Sequence, residues 1–216
     1  MQIISIKSSK IPNRVWITFL DHSFIPFFID DVVKLSLVKN QEINESKYQL
    51  IIQTCLLFIG REYALRQIAI SPKTEKIISQ KLKLFFKKVT LKYKLNIDNL
   101  NLDEINQQIV QELKDKKLLN DLDFIDFFIK RNQRKSRQQI IYLLHQLGVN
   151  QALLSEIEFN QENDVDKIKT FLDKKNIDKS KLTDFKEKNK VKASFYRRGF
   201  NLSDINTAID DWLNFR

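Results

Sequence analysis

The sequence predicts a mainly α protein: an elongated array of three tandem three-helix repeats behind a small N-terminal β-hairpin or meander. Three observations carry this. The chain opens with short β-branched and aromatic runs, and its apolar residues shift to the 3.6-residue period of helices from about Lys47. Only three glycines and three prolines occur in 216 residues, too few for a β-rich or loop-rich fold. A block running from Leu119 to Val149 combines an acidic start, an aromatic stripe, a basic elbow, an apolar helix and a glycine, and it recurs in altered form on both sides of itself.

In chain order, Ile3–Lys7, Val15–Leu20 and Phe24–Ile29 are strand-like runs, the last two joined through Asp21, His22 and Ser23. Asp30 or Asp31 is placed to cap a short helix, with Asn40 as a left-handed stop. A sheet this small must pack on the helices that follow. Leu50, Ile51, Thr54, Cys55, Leu57, Phe58, Tyr63, Leu65 and Ile68 suit one long helix or two abutting ones. Thr74 caps the next, and a third begins near Leu102 or Asp103 and runs to Lys117. In the central block Asp121 is a good N-cap, Phe124, Phe127 and Phe128 form the stripe, and Ile140, Ile141, Leu143, Leu144 and Leu147 form the apolar face that Gly148 ends. Residues 161–213 supply three more helices. The predicted division is 1–46 (β region and short helix), 47–119 (first repeat, with an insertion at about 87–99), 120–160 and 161–216.

Register tests the repeat. A shift of 51 residues lays Gly148 on Gly199, Val149 on Phe200, Asn150 on Asn201, Leu144 on Phe195, Ile140 on Val191 and Leu154 on Ile205. Two of the three glycines thus share one repeat position. The first unit has Phe85 and Phe86 where its glycine is expected.

The formal charge of +10 points to a polyanionic partner. The charge follows the repeat. Residues 73–94 hold eight lysines against Glu75, residues 130–137 hold five basic residues and no acid, and residues 186–198 hold six against Glu187. Lys130, Arg131, Arg134, Lys135 and Arg137 are the predicted central contact, flanked by Arg197 and Arg198, with Lys81 and Lys83 as candidates in the first cluster. Arginine suits the forked oxygens of phosphates and carboxylates better than lysine does. A run of charge on a helix is more often just a solvated face; recurrence at one repeat position is what raises these clusters above that.

Other chemistry finds little support. Asp121, Asp123 and Asp126 lack the glycine and further ligands of a calcium loop and fit a helix start, where the dipole favours acid. Two separated histidines (His22 and His145) and one cysteine build no zinc site and no nucleophile–base pair. Cys55 reads as a core thiol, and Trp16 and Trp212 as packing residues. With no Gly-rich phosphate loop either, the sequence predicts no catalysis, no cofactor and no metal. A lone cysteine and the absence of any bilayer-length apolar run predict a cytoplasmic protein with no membrane contact.

With those residues laid out, the chain resembles the RecX family of bacterial RecA regulators. LNDLDFIDFFIKRNQRKSRQQIIYLLHQLGV (residues 119–149) is similar to the family's middle repeat, SPKTEKIISQKL (71–82) to its first, with Thr74 at the usual Ser cap, and VKASFYRRGFNLSDINTAI (191–209) to its last, where an Arg-Gly-Phe turn introduces the final helix. The first repeat departs by lacking its glycine. The resemblance implies a non-catalytic protein that binds the RecA–single-stranded-DNA filament and limits its extension, ATP hydrolysis, strand exchange and co-protease activity in homologous recombination, DNA repair and the SOS response; the chain is expected to act as a monomer. Direct contact with single-stranded DNA is part of the same expectation. The competing reading is a helical transcriptional regulator on duplex DNA, since helix–turn–helix units with basic second helices also suit a major groove. Preference for nucleoprotein over naked DNA, without sequence preference, separates the two.

Overall fold

The β-branched opening of the chain folds as an antiparallel sheet of β1 (Ile3–Ser8), β2 (Arg14–Phe19) and β3 (Phe24–Phe28) in order β1-β2-β3, in a computed structural model that describes residues 1–157, 164–174, 179, 182 and 184–214. The chain divides into two units, Met1–Asn120 and Asp121–Arg216.

In the first unit, alternation buries Val15, Ile17 and Phe19 of β2, and Ile25 and Phe27 of β3 join them in the core. The β2–β3 turn is closed by Asp21, whose carboxylate accepts the Ser23 N–H at 3.0 Å, while His22 takes the left-handed conformation at φ 63°. Pro26 sits on β3, the sheet's last strand, where a missing N–H is tolerated. Along the β1 edge, residues 40–43 return to the sheet: the Asn40 N–H donates to the Ile3 carbonyl at 2.8 Å and the Ile3 N–H to the Gln41 carbonyl at 3.0 Å. That return corrects the expected helix end. Helix α1 spans Ile29–Lys34 with Asp30 and Asp31 inside its first turn, and its N-cap is Phe28, with no side-chain cap. It stops because Ser36 turns left-handed (φ 48°) and Leu37 drops into the core; Asn40, at φ 63°, belongs to a separate turn.

One helix, α2 (Glu45–Ile70), runs through the whole period predicted for one or two. The Asn44 side chain caps it by accepting the Lys47 N–H at 2.8 Å. It packs on β3, α3 (Glu75–Tyr93) and α4 (Leu102–Asp115), and Tyr48, Ile51, Ile52, Cys55 and Leu56 are fully buried along it. Each such aliphatic side chain contributes about 1.5–3 kcal/mol of apolar transfer. Thr74 caps α3 through the Ile77 N–H, as expected. Residues 87–93 simply continue α3, which ends at the left-handed Lys94 (φ 55°). A Cβ on Gly60 would lie 2.6 Å from Ile109 Cδ1 and 2.8 Å from Phe86 Cζ, so this glycine lets α3 and α4 close on α2. Arg61 reaches across from α2 to α4, donating from Nε and a terminal guanidinium nitrogen to Glu112 at 2.5 and 2.7 Å. Trp16 packs edge-on against Tyr93 with centroids 6.0 Å apart.

The second unit contains α5 (Asp121–Arg131), α6 (Arg137–Gln146), α7 (Gln151–Ser155), α8 (Asp164–Lys174), α9 (Phe185–Tyr196) and α10 (Leu202–Asn214). Asp121 lies within the first turn of α5. Ile168, Leu172, Phe195, Phe200, Ile205, Ile209 and Trp212 form the core of the last three helices, with the Trp212 indole N–H donating to Asp173 at 2.6 Å. The 51-residue register holds in detail. Gly148 and Gly199 take φ 94° and 82°; the Val149 and Phe200 N–H groups donate back to Leu144 and Phe195; and the Asn150 and Asn201 side chains accept the Ala152 and Ser203 N–H groups at the start of the next helix. The fold is thus mainly α, helices following in threes after the small sheet. No described helix is long and apolar enough to cross a membrane.

Candidate functional site

The basic elbow is the turn between α5 and α6. Its backbone is held locally. The Asn132 N–H donates to the carbonyls of Phe128 and Ile129 at 3.1 and 3.0 Å, the Asn132 side-chain amide donates to Phe128 at 2.8 Å, and the Lys135 N–H returns to Asn132 at 2.8 Å. Ser136, fully buried, then caps α6 by accepting the Gln139 N–H at 3.1 Å. Lys130, Arg131 and Arg134 are exposed, and Lys135 and Arg137 are half-buried. Arg131 lies over the Phe127 ring, 5.6 Å from its centroid, so the aromatic stripe orders a guanidinium at the surface. Among the described residues, Lys130, Arg131, Arg134 and Lys135 have no acidic side chain within ion-pair distance. A concentration of cation without internal neutralisation is what attracts a polyanion.

The other predicted residues are placed differently. Lys83 is paired with Asp103 at 2.9 Å, and Lys81 is half-buried in a lysine-rich stretch, where burial and the Lys81 charge together lower the pKa of Lys73. In the last cluster, Lys188 is paired with Asp210 at 2.9 Å and Lys190 with Glu187 at 2.6 Å. Arg197 is exposed, while the Arg198 guanidinium lies over Phe171 and Phe195 at 5.1 and 5.9 Å, packed as much as presented. The elbow is therefore set apart from the other two clusters by ion pairing rather than by total charge. Acids claim Lys83 in the first and Lys188 and Lys190 in the last, whereas among the described residues none reaches Lys130, Arg131, Arg134 or Lys135. The first cluster still holds exposed lysines at Lys87, Lys88, Lys92 and Lys94.

Two residues at the elbow have no signal in the sequence. Asp164 accepts the Arg137 N–H at 3.0 and 3.3 Å, and Lys167 donates to the Lys135 carbonyl at 3.2 Å. In the sequence DVDK reads only as the acidic first turn of a helix, and nothing announces a partner some 30 residues away. Elsewhere, no group of three His, Cys, Asp or Glu residues is arranged to hold a metal among the described residues. Cys55 is fully buried and donates to the Pro26 carbonyl at 3.3 Å; burial pushes its thiol pKa far up, so the reactive thiolate is disfavoured.

Comparison with known proteins agrees with this architecture. Residues 162–209 match the family model of the third three-helix domain of RecX. The chain is 30% identical over 175 residues to the regulatory protein RecX of Clostridium beijerinckii, covering 79% of this chain and 76% of that protein. With the regulatory protein RecX of Streptococcus pneumoniae it shares 24% identity over 98% of this chain and 77% of that one. The crystal structure of a regulatory protein RecX superimposes with a TM-score of 0.62 over 97% of this chain and 98% of that chain at 19% identity. That of RecX from Lactobacillus salivarius gives 0.55 over 74% and 98%, also at 19% identity. At such identity the two structures speak for the fold, and the Clostridium relative for the family: this chain belongs to the RecX family of regulatory proteins.

Proposed function

We propose that the protein modulates the RecA–single-stranded-DNA filament, acting in the cytoplasm as a monomer and by binding rather than catalysis, and that its net effect is to inhibit RecA ATP hydrolysis, strand exchange and co-protease activity. Residues 47–119, 120–160 and 161–216 act in this reading as three successive modules along a polyanionic partner. The observation that carries it is the elbow: Lys130, Arg131 and Arg134 stand exposed, with no acidic partner among the described residues, on a turn fixed by its own hydrogen bonds. Membership of a family of regulatory proteins supports a binding role, and the recurrence of basic clusters supports contact at more than one point along the chain.

The test is ATP hydrolysis by the cognate RecA on single-stranded DNA with this protein titrated in. Suppression at substoichiometric ratios is the expected result. Suppression only as the DNA saturates means competition for the strand, and no effect at any ratio overturns the reading in favour of a duplex-binding regulator. The Lys130→Glu/Arg131→Glu/Arg134→Glu variant loses the effect with its helical circular dichroism intact.

A further inference from the structure

Three contacts from the last helices converge on three consecutive elbow residues. Asp164 takes the N–H of Arg137, Lys167 takes the carbonyl of Lys135, and the turn at Gly199 closes on Ser136, where a Cβ would lie 3.0 Å from the hydroxyl oxygen. Asp164 and Lys167 are 6% and 7% exposed and lie 3.3 Å apart. A buried ion pair of this kind is often no more stabilising than apolar residues of equal volume. What it adds here is direction, because both charged groups are aimed at the backbone of the elbow. The Asp164 carboxylate also occupies the positive end of α6. A phosphate is thereby kept off that helix end and left to the elbow side chains.

We infer that Asp164 and Lys167 are positioning residues for the basic elbow: they fix the Lys135–Arg137 backbone so that Arg134 and Lys135 present their charges to a polyanion. The inference rests on the elbow being a contact surface. It makes the charge of the middle helices depend on the docking of α8, and so ties the presentation of one basic cluster to the helices that carry the next.

The test uses the full chain, a fluorescent oligo(dT) strand and the cognate RecA–single-stranded-DNA filament, with affinity measured over a series of salt concentrations. Asp164→Leu/Lys167→Met removes both tethers together and leaves no charge unpaired in the interior. It is expected to keep the helical spectrum, to bind several-fold more weakly, and to lose about 0.7 from the slope of log K against log salt, the equivalent of one phosphate contact. Lys167→Arg, which keeps a charged donor, retains the parent slope. If the double variant folds poorly, Asp164→Asn replaces it; this isosteric change leaves Lys167 without a counter-charge and is expected to lower the slope in the same direction. An unchanged slope in a folded variant overturns the inference, and so does a constant loss of affinity at every salt concentration, which reports only a smaller folded fraction. Lys130→Glu/Arg131→Glu/Arg134→Glu is measured alongside. If that variant binds normally, the elbow reading itself is wrong and this inference falls with it; if it fails to bind while the clamp variants keep the parent slope, only the inference fails.

Discussion

Gly199 stands directly against Ser136, the residue that caps α6: a Cβ on Gly199 would come within 3.0 Å of the Ser136 hydroxyl oxygen and 3.2 Å of Gln139 Cβ. Gly199 also adopts φ 82°, where an L side chain is strained. The same conformation occurs at Gly148, at φ 94°, 51 residues earlier. One glycine position of the repeat thus serves as a helix stop, and its second copy serves as a docking point too.

Gly199→Ala is therefore expected to destabilise the protein by about 2 kcal/mol, roughly half from the backbone conformation and half from crowding a filled site. Gly148→Ala is expected to cost about 1 kcal/mol, from conformation. Denaturant midpoints with unchanged m-values give the comparison. Equal losses for the two would mean that the Ser136 contact has no energetic weight.

The Arg61–Glu112 bridge between α2 and α4 predicts a pH dependence. Two hydrogen bonds from the guanidinium hold the Glu112 carboxyl below its ordinary pKa and raise that of Arg61. A carboxyl with a depressed pKa in the folded state stabilises that state above its unfolded pKa, near 4.3, and the contribution disappears as pH falls through the lower folded value. Both side chains are partly exposed, at 40% and 29%, so the effect is about 1 kcal/mol or less. Glu112→Gln should be less stable than the parent at pH 7, and the gap should close below pH 4. A gap that stays constant with pH would assign the loss to packing.

The contrast between these two sites and the rest shows what sequence could convey. Local signals were legible: Thr74 before a helical period, a glycine after one, Asp21 in a short turn. Each acts through a hydrogen bond or a backbone angle within a few residues. The alignment of Gly148 on Gly199 also carried the cap residues Asn150 and Asn201 into register. Contacts between helices were not legible. Gly60 looks like an unhelpful residue inside a helix until Ile109 and Phe86 are seen to close on it, and Lys83 looks free until Asp103 arrives from α4. The end of α1 was misplaced for the same reason, because residues 40–43 are drawn to the β1 edge by pairing that no local pattern encodes.

Cys55 should be chemically silent in the folded protein. It has no exposed surface, its thiol donates to the Pro26 carbonyl, and burial favours the neutral form. A thiol reagent at pH 8 is expected to leave it unmodified over hours and to label one equivalent on addition of denaturant. Rapid labelling without denaturant would show that β3 separates readily from α2. Cys55→Ser should keep the hydrogen bond but cost about 1–2 kcal/mol, through burial of a more polar group.

Lys83 of the first cluster should respond differently from the elbow residues to removal of its charge. Arg134 and Lys130 are exposed without an acidic partner among the described residues, so alanine at either removes an attraction for a polyanion and leaves no acid behind. Lys83 already pairs with Asp103, so Lys83→Ala removes a cation whose field was partly cancelled and uncovers an anion. On single-stranded DNA each phosphate contact contributes about 0.7 to the salt slope. Arg134→Ala and Lys130→Ala should each lower the slope by about that amount. Lys83→Ala should lower affinity mainly at low salt, where the newly unpaired Asp103 repels the strand over a longer screening distance. Measured by anisotropy between 50 and 300 mM salt, equal slope changes at all three positions would place the first cluster in contact with the strand on the same footing as the elbow. No change at Arg134 or Lys130 would remove the elbow from the interface.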